Sequence, residues 1–357
     1  MSAARRLSLS KLGLRFLKIM EKTLLGKTEK KVSRAGFGVL AIGRTHRDLK
    51  DEEGSDLLLY GLEKGINFFD TAQYYEEYPI MKAFLKKAFD GGHSRDEIVI
   101  CTKSLAEDAG SMRDAVDEAL NEMDLGYIDI FLMHEVRSGQ LEERSGAWEA
   151  LRELKAEGKV HAIGISTHHT DVAEKAAELQ DCDCVFALLN TEGLGIRKGE
   201  TGGPGERLPG YRIPDRQATR GEMEEALWKC HDAGLGVFTM KALGGGNLAA
   251  DYREALDYVF SRSFVDSVML GMSSRSEVND LLDYLEGELG EDYVPDVSDK
   301  VLKVNHDDCV GCGECMKACA SGAVYYGDDG LSVIDRDRCI DCGYCAYACP
   351  VRAIIRV

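Results

Sequence analysis

Eight of the twelve cysteines stand in two runs of identical spacing. Cys309-x-x-Cys312-x-x-Cys315-x-x-x-Cys319 returns as Cys339-x-x-Cys342-x-x-Cys345-x-x-x-Cys349, and each position of the second copy lies 30 residues after its counterpart. Ala353 answers Ala323 and Ile354 answers Val324 at the same offset. Three closely spaced thiols and a fourth a few residues on form the run that holds an iron–sulfur cubane. The repetition describes a duplicated half-unit that packs against its twin. Disulfides would need an oxidising compartment. Structural zinc would use two pairs of ligands with a longer spacer between them. With so few apolar residues between the thiols, folding of this stretch is expected to depend on metal.

The doubled run resembles the two-cluster bacterial ferredoxins, small α+β modules. The resemblance implies two [4Fe–4S] clusters in which the fourth cysteine of each run serves the other cluster. Cys309, Cys312, Cys315 and Cys349 would hold one, and Cys339, Cys342, Cys345 and Cys319 the second. Ala320 stands where the second copy has Pro350, a difference that touches only the turn.

The other three hundred or so residues suffice for one large α/β domain. Hydrophobic residues make up 44% and charged residues 30%, as in soluble globular proteins, and the formal net charge is −18. A chain this acidic is a poor partner for nucleic acid. Cys101, Cys182, Cys184 and Cys230 remain, and they read as ordinary buried thiols. Together with the cluster runs they point to a reducing, cytoplasmic setting. Residues 1–20 form a basic extension with Leu9, Leu12, Phe16 and Ile19 at helical spacing. No uncharged run is long enough for a transmembrane segment.

Residues 21–290 open with a hairpin over Lys22–Arg34 that turns at Gly26-Lys27-Thr28. Short apolar stretches then alternate with amphipathic ones. The strands are expected at Phe37–Ile42, Asn67–Asp70, Ile98–Lys103, Ile128–His134, Ala162–Ser166, Cys184–Leu189, Gly236–Met240 and Ser267–Gly271. Their near-continuous hydrophobicity suits strands buried on both faces. The clearest helices are Asp51–Lys64, Met112–Met123, Ala147–Glu157, Asp171–Leu179, Glu222–Ala233, Arg253–Ser261 and Arg275–Leu285. Ser111-x-x-Asp114 and Ser274-x-x-Glu277 carry capping signals. Eight alternations predict a (β/α)8 TIM barrel. A doubly wound sheet would need a glycine fingerprint after its first strand, and Gly36-x-Gly38 is not followed by one. Asn190–Thr219 is a long Gly- and Pro-containing stretch of the kind that forms active-site lids. Residues 291–304 read as a linker to a module over 305–357.

Polar side chains gather where the barrel strands end: Asp70, Lys103, His134, Ser166, Thr167, Lys241 and Gly271–Ser273. Barrel active sites are built at these carboxyl ends. Gly65-Ile-Asn-Phe-Phe-Asp70-Thr-Ala-Gln-Tyr-Tyr75 resembles the Asp-Thr-Ala-x-x-Tyr signature of aldo/keto reductases. Val99–Lys103, Ile128–His134, Gly158–Ser166 and Val268–Arg275 follow in that family's order. The resemblance spans about Lys22 to Leu285. It implies an oxidoreductase acting on a small carbonyl or alcohol, with a tetrad of Asp70, Tyr75, Lys103 and His134. Tyr75 would be the acid, Lys103 would lower its pKa, Asp70 would hold Lys103, and His134 would orient the carbonyl. Ser166 and Thr167 would hold a nicotinamide carboxamide. Met240, Lys241 and Leu243 would follow along the cofactor, and Gly271, Ser273 and Arg275 would lie by its adenosine end. The Arg275 fork suits the 2′-phosphate of NADP(H), with NAD as the alternative. Phe186 and Met240 replace the glutamine and the aromatic ring that the family often sets around the nicotinamide. A hydride carries two electrons and a cubane takes one, so a flavin or an external carrier such as a ferredoxin is expected between them. The glycines at Gly244-Gly245-Gly246 and Gly271 are the candidate phosphate cradle for a flavin.

Overall fold

Strands that are apolar on both faces must also satisfy both edges, and here they do so by closing on themselves. A computed structural model describes residues 20–44, 46–199, 216–306, 308–351 and 353–357. Residues 1–19 of the basic extension and 200–215 of the expected lid lie outside the described residues. Ala35–Gly38, Phe68–Asp70, Val99–Ser104, Ile128–Met133, Val160–Thr167, Cys184–Leu188, Gly236–Met240 and Ser267–Gly271 pair in parallel, in chain order, into a closed barrel. The eighth strand pairs with the first, Leu270 opposite Phe37. The expected first strand is cut short, because Val39–Ile42 turns into a 3-10 helix.

Alternate residues fill the barrel. Phe68, Val99, Cys101, Ile130, Leu132, Cys184, Phe186, Phe238 and Met269 form an inner core. Phe186 stacks on Phe238 with centroids 4.5 Å apart. The hairpin of Lys22–Leu24 and Lys31–Ser33 closes the amino-terminal end of the barrel. Its Leu25 and Val32 join the inner core. All four cysteines outside the two runs are buried, as expected of ordinary core thiols.

The outward faces of the strands pack on amphipathic helices. Tyr78–Asp90 is a helix absent from the clearest sequence signals, although Ile80, Met81, Phe84, Leu85 and Ala88 give it a buried stripe and Pro79 starts it. Helix Ala109–Met123 begins three residues before its predicted start, because Asp108 rather than Ser111 is the cap. Ser274 does cap Arg275–Glu286, its hydroxyl accepting the Glu277 amide.

The C-terminal repeat forms two interleaved halves. Each half reads strand, cysteine run, short helix, strand. Leu302–Val304 pairs with Ile354–Arg356, and Val324–Tyr326 pairs with Ser332–Ile334, so each half's first strand pairs with the other half's last. The module therefore starts inside the stretch 291–304 read as linker, since Leu302–Val304 is needed to cover the final strand. Gly313 and Gly343, at equivalent positions, take φ of 77° and 81° ahead of the helices Glu314–Ala318 and Tyr344–Ala348.

Candidate active site

The tetrad comes together from three strand ends and one 3-10 turn. Asp70 and Lys103 end the second and third barrel strands and are 4% and 1% exposed. A buried ammonium needs every proton satisfied. The Lys103 ammonium donates to both Asp70 carboxylate oxygens, at 2.8 and 2.9 Å, and to the Thr71 carbonyl at 2.7 Å. Burial works against the Lys103 charge, but Asp70 outweighs it and holds the ammonium above its ordinary pKa. Burial likewise pushes Asp70 up, with Lys103 pulling the other way. Three donated hydrogen bonds make the pair an ion pair.

Tyr75 closes the turn Gln73–Tyr75 that follows the second strand. Its ring centre lies 4.7 Å from the Lys103 ammonium, and His134 meets it edge-on with centroids 5.5 Å apart. Tyr74 is 46% exposed. The expected lowering of the phenol's pKa is reversed. Burial pushes Tyr75 up to about 12, and the Lys103 charge offsets only part of that. His134 is held well below its usual pKa, first by burial and then by Lys103, Arg144 and Lys241. Its imidazole is neutral, and its buried Nδ1 has no hydrogen-bond partner among the described residues.

The residues predicted to hold a cofactor are more dispersed. Ser166 is buried and its hydroxyl accepts the Glu135 amide at 2.9 Å, which leaves its proton to donate. Thr167 is committed to the loop: its hydroxyl donates to the Val136 carbonyl and accepts the His169 amide. Lys241 follows the seventh strand with φ of 59°, and its ammonium makes no ion pair among the described residues. Burial is the first cause that depresses His46, His168 and His134, and the Lys241 charge adds to it at all three. Met240 and Leu243 are half-buried against the core. Gly271 sits against Ala41. Ser273 spends its amide and hydroxyl on the Glu277 carboxylate. Arg275 is exposed, with its guanidinium 4.8 Å from the Tyr60 ring centre.

The glycine loop offers no open phosphate cradle on its outer side. A Cβ on Gly245 or Gly246 would meet Ile355 or Arg356 at 3.0 Å, because the module's last strand packs there. Asn247 donates to the Ile354 carbonyl at 3.2 Å, and Arg197 to the Val351 carbonyl at 3.0 Å. These anchors follow the seventh and sixth barrel strands, so the module is joined to the carboxyl-end face that carries the tetrad.

Within the module, strand exchange brings the end of one cysteine run to the start of the other. Burial raises the Cys349 thiol first, and the charges of Cys315 and Cys312 raise it further. Burial likewise raises Cys345, with the charges of Cys319, Cys315 and Cys339 adding to it. The two fourth cysteines are built alike: Cys319 Sγ accepts the Ala323 amide at 3.2 Å and Cys349 Sγ the Ala353 amide at 3.3 Å. Amides aimed at sulfur favour thiolate, the form a metal cluster needs. None of the twelve cysteines is in a disulfide.

A model of the Aldo/keto reductase family matches residues 34–255. The chain belongs to the aldo/keto reductase family. A 4Fe-4S dicluster domain matches residues 301–350, which include Leu302–Val304 and all eight cysteines of the two runs. This aldo/keto reductase is 25% identical over 290 residues to an L-galactose dehydrogenase of Arabidopsis thaliana, covering 73% of this chain and 86% of that one. It is 28% identical over 239 residues to a probable aldo-keto reductase 1 of Glycine max, covering 62% of this chain and 59% of that one. Its barrel shares the fold of an aldo-keto reductase from Bacillus halodurans in its holo form, with a TM-score of 0.57 at 20% identity, over 78% of this chain and 98% of that one.

Two side chains that support the reductase site were not singled out from the sequence. Arg144, 4% exposed, donates to the carbonyls of Ala106, His134 and Ser104 at 2.9–3.1 Å, pinning the loops after the third and fourth strands. Gln73 accepts the Ser104 hydroxyl at 2.7 Å and donates to Glu118 at 2.5 Å, fixing the turn that carries Tyr75. Neither lies at a strand end, so strand-end position gave no signal. Phe186, read as a missing glutamine, faces the tetrad with its ring centre 5.4 Å from the Lys103 ammonium.

Proposed function

We propose that this oxidoreductase interconverts a small carbonyl compound and its alcohol with NADP(H), using Tyr75, Lys103, Asp70 and His134. The observation that carries the reading is the clamped ammonium of Lys103 beneath the Tyr75 ring, with His134 alongside. The nicotinamide, when bound, supplies or accepts the hydride. The neutral His134 imidazole hydrogen-bonds the substrate oxygen and fixes the carbonyl's orientation. Tyr75 gives its proton to that oxygen as it becomes an alkoxide. Lys103 compensates the phenolate that remains, and Asp70 keeps Lys103 charged and aimed. Ser166, with its free proton, is the group for a carboxamide oxygen, and exposed Arg275 for a 2′-phosphate. Thr167 and Ser273 are turned to internal bonds, Ser273 with its amide as well as its hydroxyl, and neither is assigned a side-chain contact to the cofactor. The bulk of Phe186 and the flexible Met240 shape the nicotinamide floor.

The eight cysteines fit two [4Fe–4S] clusters, and the exchange of strands between the halves supports the crossed pairing that the ferredoxin resemblance implies. The clusters, when assembled, supply one-electron redox chemistry, and a small external carrier protein is the fitting counterpart. Among the described residues no helix is long and apolar enough to cross a membrane. Free buried thiols and cluster cysteines favour the reducing cytoplasm.

Tyr75→Phe tests the chemistry. Carbonyl reduction with NADPH should fall by at least about 100-fold while cofactor binding, followed by fluorescence, persists. Tyr74→Phe should remain near wild type. The opposite ranking would refute the assignment of the acid.

A further inference from the structure

A buried guanidinium ordinarily has a carboxylate beside it. Arg197 is 9% exposed, yet among the described residues it makes no ion pair. Its guanidinium donates instead to the Val351 carbonyl of the module, at 3.0 Å. The backbone of the same residue is tied to the barrel. The Arg197 amide donates to the His168 carbonyl at 2.9 Å, and His169 and Arg197 form an isolated parallel bridge. The His169 amide in turn donates to the Thr167 hydroxyl at 2.9 Å, and that hydroxyl donates to the Val136 carbonyl at 2.7 Å. Arg197 is thus bonded at one end to the loop that continues from Ser166 and Thr167, and at the other to the module.

The module end of this link lies at a cluster cysteine. Val351 follows Cys349 by two residues, and the amides of Val351 and Ala353 both donate to Cys349 Sγ. Cys349, Val351, Ala353 and Ile354 are buried together in the module's small core. A core of this size depends on its metal to stay folded, so the place of the Val351 carbonyl depends on the cluster that Cys349 holds. The other half of the module serves as a control. Its counterpart of Val351 is Ser321, in a turn whose Ala320 and Gly322 are exposed. Among the described residues the Ser321 carbonyl takes no bond from the barrel. Asn247 also reaches the module, at Ile354, but it belongs to the glycine loop and not to the loop after Ser166. Arg197 is the side chain that joins a cluster thiol to the residues read as nicotinamide-binding.

We propose that Arg197 couples the cluster at Cys349 to the nucleotide site, holding the loop Ser166–His169 in its nicotinamide-binding arrangement only while that cluster is assembled. This rests on the readings that Ser166 meets the nicotinamide carboxamide and that Cys349 is a cluster ligand. Arg197 acts through the loop, so it is a positioning residue. With the cluster in place, Val351 is fixed, the guanidinium has its acceptor, and the loop is ordered before the nucleotide arrives. With the cluster lost, the guanidinium loses that acceptor, and the nucleotide must order the loop itself. The barrel therefore binds nucleotide well only in a chain whose module is loaded. Coupling of this kind is reciprocal, so bound nucleotide steadies the Cys349 segment in turn.

The test is a double-mutant cycle on the full chain, purified anaerobically, with NADPH binding followed by its fluorescence. Cys349→Ser should weaken NADPH binding by at least about fivefold and speed hydrogen exchange at residues 167–169. Arg197→Gln should do the same while keeping the iron content of wild type. The double variant should bind no more weakly than either single variant, because both remove one link. Should Arg197→Gln not fold, Arg197→Lys, a shorter donor, takes its place in the cycle. Lys198→Gln is the neighbouring control. Lys198 is half-buried and pairs with Glu222 at 3.4 Å, so its loss should leave NADPH binding near wild type. Cys342→Ser should weaken binding less than Cys349→Ser does. Unchanged NADPH affinity in Cys349→Ser, additive losses in the double variant, or an equal loss in Cys342→Ser or Lys198→Gln would each overturn the proposal. These outcomes leave the underlying readings standing as long as wild type holds iron and binds NADPH. Wild type that binds no NADPH would remove the nucleotide reading, and wild type without iron the cluster reading, and the proposal would fall with either.

Discussion

A phenol that serves as an acid must keep its proton until the substrate oxygen becomes basic enough to take it. Burial raises the Tyr75 pKa to about 12, so the phenol is protonated throughout the neutral range. In the proposed reaction the nearby ammonium acts afterwards, on the phenolate. Carbonyl reduction at saturating cofactor should therefore stay level from about pH 7 to about pH 10, falling only as Tyr75 ionises. A fall centred near pH 7 in the isolated chemical step would rule out Tyr75 as the acid. His134 behaves oppositely. Its folded pKa lies well below 6.5, so the unfolded chain takes up a proton there that the folded chain refuses. The stability it contributes is complete above pH 6.5 and drains away as pH falls below that value. His134→Gln should accordingly lose less thermal stability than wild type between pH 7 and pH 5. An equal or larger loss would show that His134 is readily protonated in the folded protein. Asp70 and Lys103 were legible as residues because charge at a strand end is conspicuous. The direction of the Tyr75 shift was not, because burial is a property of the assembled site.

Elements place these groups, and they also decide what the glycine loop is for. In the sequence, Gly244-Gly245-Gly246 looks like a cradle for phosphate. In the fold, Gly246 takes φ of 83° and leaves room for Arg356 of the module's last strand. Gly246→Ala should cost about 1–2 kcal/mol, from the positive φ and from the displaced strand. It should also raise hydrogen exchange at residues 354–356. Gly92→Ala provides the comparison, since Gly92 has φ of 96° with nothing within 4 Å of an added Cβ. It should incur only the backbone cost and leave exchange at 354–356 unchanged. If both variants loosened that strand equally, the loop would not be its anchor. The barrel strands were readable because double-sided burial leaves unbroken apolar runs. Helix Tyr78–Asp90 was overlooked because it follows the Tyr74-Tyr75 turn so closely that no glycine or linker marks its start.

Across the whole molecule, an eight-stranded barrel and a module of two exchanged halves meet at one face. Anaerobically purified protein should contain about eight irons and eight sulfides per chain. Strand exchange makes a sharper claim about which thiols share a cluster. Cys312→Ser and Cys349→Ser should abolish the same EPR signal, and combining them should lose no more iron than either alone. Cys312→Ser with Cys319→Ser should lose both clusters, although those two residues belong to one run. If Cys349→Ser instead removed the signal lost in Cys342→Ser, each run would serve its own cluster and the crossed pairing would be wrong.

Spacing and periodicity are local, and they determined what is local here: the thiol runs and their 30-residue repeat, the alternation of strands and helices, and the polar strand ends. They also carried the proposal of Tyr75 as the acid, since a signature fixes residues relative to Asp70. Three things were decided only by the tertiary structure. Arg144 and Gln73 became supports of the site through hydrogen bonds to segments up to 45 residues away. The glycine loop became a docking surface because a strand more than a hundred residues later lies on it. Arg197 became an anchor of the module through a carbonyl 154 residues later. Each depends on which distant atoms arrive at a residue, and side-chain order along the chain does not specify that until the backbone closes.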